Sequence, residues 1–455
     1  MDSRSRRAGP APTGSHGPAV AAQLPDEQRA REPMTAPFRF VHCSDVHLDT
    51  PFRCADDGVR AALAEGNRDA FRRLIDLCLS EKVDALLVAG DLFDDERLSF
   101  GTEEFLLEQV SRLTSAGIHV VAAAGNHDPG GAGLRSAAIA WPKERFTILR
   151  GPEPQEILVR SGEKIVGRVL GNGHASGSES KSLLGKFMTA HGDEPSVALL
   201  HCHVENADGS GNHPKLAPCT IGELAALGCR YVALGHVHRR QRLGNHAIHY
   251  PGTLCGHHAD ETGAQGALLV SVPTRGEPQV EFRPLATIRW ETLTLKGLER
   301  TADVAALKMV AAQAFEALRK QPDVLPGQQW MLRVALTGPC AMARELQEED
   351  FVEELAEELA AELQPQGVLS VVVSDEGVTL PCNLADHRGQ PHLLGLALEV
   401  IDALGDDAKL LTHLHAGPLA GMPHGSAEEK RAWLRTLLPD LDRAAAEALL
   451  KETTP

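Results

Sequence analysis

Five short apolar runs, each closing on a residue able to ligate a metal, constrain this chain more than any other feature. The runs are Phe38–Cys43, Ala85–Ala89, Val120–Ala124, Val197–Leu200 and Tyr231–Leu234. None alternates apolar with polar residues, so each predicts a strand buried on both faces of a sheet. Between them, Arg68–Ser80 and Thr102–Ser115 repeat apolar residues at intervals of three and four, the period of an amphipathic helix. Strand alternating with helix predicts an α/β core.

At or just past these runs stand Asp45-Val46-His47, Gly90-Asp91, Gly125-Asn126-His127-Asp128, His201 and Gly235-His236-Val237-His238. In α/β sheets, ligand-binding residues collect beyond the carboxyl ends of the strands. Mixed oxygen and imidazole donors suit manganese, iron or zinc better than calcium, with manganese expected. Two divalent cations about 3.5–4 Å apart need an anion between them, and Asp91 is the candidate bridge. Asp45, His47 and His238 would complete one site, and Asn126, His201 and His236 the other. His201 is preferred over His203 because it directly follows the apolar run. In an extended segment His236 and His238 face opposite ways, so bringing both inward calls for a twist near Gly235. His127 suits protonating a leaving alkoxide or holding a phosphate oxygen, while a water whose pKa the cations lower would attack.

Taken together in this order, the five motifs resemble the signature of the calcineurin-like metallophosphoesterase superfamily over roughly residues 38–290. The resemblance implies a four-layer α/β/β/α sandwich in which Asp45, His47, Asp91, Asn126, His201, His236 and His238 hold two metals and His127 is catalytic. The flanks narrow it. Ser44–Phe52, Ala217-Pro218-Cys219-Thr220, Val232–His238, Tyr250-Pro251-Gly252-Thr253 and Glu261-Thr262-Gly263 resemble the SbcD- and YhaO-like DNA-repair exonucleases. That family implies a capping domain after the core, DNA as substrate and an SbcC-like ATPase partner. One departure stands at Asp94, where the archaeal and eukaryotic members carry a phosphate-handling histidine.

At 455 residues the chain exceeds what one core usually serves. Residues 1–37, rich in Ala, Pro, Gly, Ser and Arg without apolar periodicity, are expected to be a disordered tail, and the catalytic domain to span 38–290. The order helix (Ala302–Arg319), strand (Trp330–Thr337), helix (Leu346–Leu363), strand (Val368–Ser374) predicts a small α+β capping domain over 291–380. Residues 381–455 read as a helical C-terminal region, with helices at Leu393–Leu404 and Ala427–Leu449. Homodimerisation stays open.

The nine cysteines show no CxxC pair, which predicts free thiols. With no apolar stretch of membrane-spanning length and no signal-peptide core, a cytoplasmic protein is expected. The net charge of −17 falls mostly after residue 290 (about −13, against about −4 before it), so charge neither excludes nor supports a nucleic-acid substrate.

Other polar residues have plainer readings. His42 and His119 abut strands and read as structural, and Asp49 as a cap on the Thr50-Pro51 turn. His257 and His258 have no assigned ligand role. Arg239, Arg240 and Arg242 face either phosphates or solvent. His413, His415 and His424 read as surface histidines. Three functions compete: a two-metal nuclease subunit, a phosphodiesterase or phosphatase for small phosphoesters, and a non-catalytic scaffold for the ATPase. The intact ligand set and His127 oppose the scaffold.

Overall fold

The computed structural model describes residues 36–406, apart from 54–55, 95–96, 132–137, 188–191 and 208–213, together with some positions between 426 and 449. The expected tail and the histidines at 413, 415 and 424 lie outside these residues, as does much of the expected helix over 427–449.

Two six-stranded sheets stack face to face. One is ordered β12-β11-β1-β2-β3-β4, with β1 at Phe38–Cys43, β2 at Ala85–Ala89, β3 at His119–Ala123, β4 at Phe146–Leu149, β11 at Gly266–Val272 and β12 at Gln279–Pro284. The other is ordered β5-β6-β7-β8-β10-β9, with β5 at Gln155–Ser161, β6 at Lys164–Gly171, β7 at Ser196–His201, β8 at Tyr231–Gly235, β9 at Gln241–Arg242 and β10 at Ile248–Tyr250. The five apolar runs are the central parallel strands, divided three and two between the sheets.

Burial explains their lack of alternation. Phe38, Phe40, Leu87 and Val121 point inward against Val169, Val197, Leu199 and Tyr231 of the opposite sheet. Val41, Leu86, Val88 and Val120 point outward onto helices α1 (Asp57–Glu81) and α2 (Phe100–Ser115), through Phe71, Leu74, Leu106 and Val110. The outer face of the second sheet packs Leu200, Val232 and Leu234 under the short helix α3 (Ile221–Ala226) and neighbouring loops. The result is a four-layer α/β/β/α sandwich. Its two strand sets bring their carboxyl ends to one edge, where backbones nearly touch: a Cβ on Gly235 would lie 1.9 Å from the Ala89 carbonyl oxygen.

A three-stranded parallel sheet follows, formed by β13 (Ile288–Leu295), β14 (Gln329–Pro339) and β15 (Val368–Thr379). Helices α4 (Val304–Arg319) and α5 (Glu349–Leu363) cover one face, burying Leu307, Phe315, Leu355 and Leu359 against Trp330, Leu332 and Val334. Strand β13 has no counterpart among the sequence-derived elements. Its Arg-Trp-Glu-Thr-Leu-Thr pattern mixes charge with apolar residues and falls outside the buried-run signal. It begins at Ile288, so a boundary at 290/291 would cut through it. The sheet's other face leans on the sandwich, where Ile288 and Met331 pack with Phe52 and Leu63. Helix α6 (Leu384–His387) and helix α7 (Leu393–Asp406) come next. The described cysteines are all free thiols, and no described helix is long and apolar enough to cross a membrane.

Candidate metal centre

The loops after β1, β2, β3, β7 and β8 meet at the shared edge of the sandwich. Several of their residues adopt left-handed backbone: Asp45 (φ 51°), His47 (φ 48°), Asp91 (φ 52°) and His236 (φ 104°). Such torsions are unfavourable for non-glycine residues, and surrounding hydrogen bonds must hold them. They do so here: Asp45 N and His47 N donate to the backbone oxygens of Gly90 and Asp91, and the buried Asn67 side chain of α1 donates to the carbonyls of Val46 and His47. The twist expected at Gly235 falls on His236 itself; glycine at 235 instead permits the close approach to Ala89.

The seven candidate ligands come together. Asp91 Oδ2 stands between two imidazoles, 3.3 Å from His201 Nε2 and 3.7 Å from His47 Nε2. On one side of it, Asn126 Oδ1 lies 3.0 Å from His201 Nε2 and 3.2 Å from His236 Nδ1. On the other, Asp45 Oδ1 lies 3.7 Å from His238 Nε2. Ligand atoms of Asp45, His47 and His238 form one mutually close group, and those of Asp45, Asp91 and His201 another. His203, two residues along, places no nitrogen against these atoms; its ring centre is 6.2 Å from that of His236.

Each imidazole is tied at its other nitrogen. His201 Nδ1 donates to the Ala89 carbonyl at 2.8 Å and His236 Nε2 to the Pro214 carbonyl at 2.7 Å. His47 Nδ1 pairs with Asp94 at 2.9 Å and His238 Nδ1 with Glu261 at 2.5 Å. Carbonyl and carboxylate oxygens only accept, so these contacts fix the tautomers and turn a lone pair of each ring into the shared space. His47 Nε2 is buried there with no hydrogen-bond partner. An orphaned imidazole nitrogen beside two buried carboxylates and an amide oxygen fits divalent cations.

The electrostatics agree. Burial opposes ionisation of Asp91, yet His201, with His47 and His127, holds its carboxyl well below the usual range. Burial likewise resists a charge on His201 and His238, but Asp91 for the first and Glu261 for the second lift them to about 9. Burial beside His201 pushes His236 down to about 3.

His127 sits at the mouth, its side chain 49% exposed. Its backbone N–H donates to Asp91 Oδ1 at 2.8 Å, and its Nδ1 lies 3.4 Å from Asp94 Oδ1. Asp94 therefore faces both His47 and His127. The neighbouring Asp128 points elsewhere: it accepts from the backbone N–H groups of Asp91, Leu92 and Gly125, locking two ligand loops together.

His42 bridges the Tyr231 hydroxyl and the Leu234 carbonyl, a structural role. Asp49 does not cap its own turn; it accepts from Ser99 N and Thr102 Oγ1, anchoring the start of α2. Arg240 stacks over the Phe282 ring, 3.5 Å from its centre, and Arg242 binds the carbonyls of His246 and Asn245. A cleft of about 1390 Å³ opens from Asn126 and His127 past Phe52, His257 and His258 to Trp290, Met331 and Val372 of the three-stranded sheet, with Arg53 and Arg97 among its lining residues. The sequence offered no signal for Asn67, and it marked Glu261 only as part of the Glu261-Thr262-Gly263 flank, because each acts through a contact no local pattern encodes.

Residues 38–240 match the calcineurin-like phosphoesterase family. The uncharacterized metallophosphoesterase YhaO of Bacillus subtilis is 29% identical over 334 residues, covering 70% of this chain and 80% of the relative. The SbcD component of the SbcCD nuclease of Escherichia coli K12 is 26% identical over 258 residues, covering 50% of this chain and 62% of the relative. A dimetal phosphatase of Danio rerio, of known structure, is 13% identical with a TM-score of 0.33, covering 55% of this chain and all of the other. The protein is a metal-dependent phosphoesterase.

Proposed function

We propose that this protein cleaves phosphodiesters of DNA at a two-cation centre, as the nuclease subunit of a repair complex with an SbcC-like ATPase. One observation carries the chemistry: Asp91 Oδ2 lies between His47 and His201, where one carboxylate would touch two cations. Asp45, His47 and His238 would hold one ion and Asn126, His201 and His236 the other, with Asp91 shared and manganese the expected metal. When bound, such a pair supplies Lewis-acid stabilisation of the phosphoryl oxygens and a nucleophilic water at neutral pH.

The chain's own residues supply the rest. Asp94 holds His127 Nδ1, which leaves Nε2 to carry the proton toward a leaving 3′ oxygen. That hydrogen bond raises the His127 pKa, so the ring more readily holds the proton it must give. A cleft of about 1390 Å³ exceeds the roughly 300–1,000 Å³ of sites for small ligands, which supports a polymeric substrate. Helix α7 exposes Leu393, Leu396 and Val400 at helical spacing, an apolar stripe that supports a protein partner.

The second reading, a phosphodiesterase or phosphatase for nucleotides or other small phosphoesters, draws on the net charge of −17. One assay separates the two. The pure protein with manganese is given linear DNA and, separately, a simple aryl phosphodiester. Digestion of both supports the nuclease, and cleavage of the aryl ester alone supports the second reading. Inertness toward both would remove the enzymatic assignment altogether.

A further inference from the structure

Glu261 lies outside the five motifs, yet its carboxylate gathers three histidines. Oε1 is 2.5 Å from His238 Nδ1 and 3.0 Å from His258 Nε2, while Oε2 accepts from the backbone N–H of His257 at 2.6 Å. The side chain is only 6% exposed. Of the three donors, His238 and His257 are buried or nearly so and His258 is 59% exposed.

The loop that carries Glu261 is pinned at both ends: Thr253 Oγ1 donates to the Asp45 carbonyl and His257 Nε2 lies 3.3 Å from the Val46 carbonyl at the sandwich edge, while its later residues hold the three-stranded sheet. Gly263 N donates to the Trp290 carbonyl at 3.0 Å, Trp290 Nε1 donates to the Gly256 carbonyl at 2.9 Å, and Thr262 bridges Trp290. A Cβ on Gly256 would lie 2.6 Å from Trp290 Cδ1, so the two segments are in full contact. Trp290 lies on β13, the first capping strand. One loop thus joins β13 to Glu261, and Glu261 joins it to His238.

From this geometry we infer that Glu261 is a positioning residue for the cation site formed by Asp45, His47 and His238, and that it links that site to the capping domain. The inference rests on the two-cation reading above. A carboxylate is required because both oxygens accept: a glutamine would set its NH2 against an N–H donor. Glu261 holds His238 Nδ1–H, so Nε2 presents its lone pair toward Asp45 with the ring fixed in plane. Ligand atoms of Glu261, His238 and His257 also lie close together, but here His238 and His258 occupy Oε1 and the His257 N–H occupies Oε2.

The test is a manganese titration of the full chain, reading bound ions by electron paramagnetic resonance alongside the melting temperature of the metal-free protein. For Glu261→Gln, one of the two ions should bind about 10–100-fold more weakly while the other is unchanged. The metal-free melting temperature should stay near that of the wild type. Glu261→Asp, which keeps the charge but withdraws it from His238, should fall between, and it serves if the glutamine variant does not fold. Unchanged affinity for both ions would overturn the inference. So would equal weakening of both with a lowered melting temperature, or a third ion in the wild type that Glu261→Gln removes. If the wild type itself binds fewer than two ions, the two-cation reading fails instead.

Discussion

Asn126 Oδ1 lies 3.0 Å from His201 Nε2, although 75 residues separate them and their strands belong to different sheets. Two atoms with lone pairs held this close need something positive between or beside them. A divalent cation held by both would meet that need.

Replacing Asp91 with Asn should therefore damage both ion sites together. Manganese stoichiometry should fall from two toward zero with a loss of at least about 100-fold in affinity, since a bridging charge contributes more than the outer partners, whose loss costs 10–100-fold. Equilibrium dialysis with metal analysis checks this. Loss of only one ion would show that Asp91 does not bridge.

His127→Ala is expected to separate chemistry from metal binding. Its ring is half exposed at the mouth, and its backbone N–H, not its imidazole, holds Asp91. Turnover should drop by about 10²–10⁴, with metal content within error of the wild type. Asp94→Asn should lower turnover too. It should also weaken one ion, because Asp94 also pairs with His47.

Gly235→Ala tests the sandwich edge. The added Cβ would lie 1.9 Å from the Ala89 carbonyl and 2.8 Å from Ser44 Cβ. Neither backbone can retreat without shifting Asp45 or Asp91. A loss of about 1–3 kcal/mol in unfolding free energy is expected, with weakened metal binding. Chemical denaturation with and without manganese measures both.

Acid should unfold this protein through its buried imidazoles. Burial lowers His42 to about 3 and His249 to about 4. Between pH 6.5 and about 4 the unfolded chain takes up protons that these folded groups refuse, so stability falls as pH falls through that window. Each contributes a slope of up to about 1.4 kcal/mol per pH unit. Urea unfolding of His42→Gln across this range should show a shallower dependence than the wild type, by about one such slope. An identical slope would show that His42 does not titrate on unfolding.

What could be read from the sequence was whatever is local. Continuous apolar runs such as Ala85–Ala89 and Tyr231–Gly235 announce strands buried on both faces, because burial on two sides leaves no position for a polar residue. The residue types that end those runs pointed to the site, and the cap's α4, α5, β14 and β15 were visible by period. Strand β13, with its mixed pattern, was not.

Only the tertiary structure decided how the runs divide between two sheets and how their loops meet. Sheet partition follows from the packing of Phe38, Phe40 and Leu87 against Val197, Leu199 and Tyr231, residues far apart in the chain. Nor could any local pattern assign Asp94 to two histidines, Asp128 to three backbone amides or Glu261 to His238. Side-chain chemistry is a property of the residue. Its partner is a property of the fold, because a hydrogen bond depends on atoms within about 3 Å, and sequence distance does not set that separation.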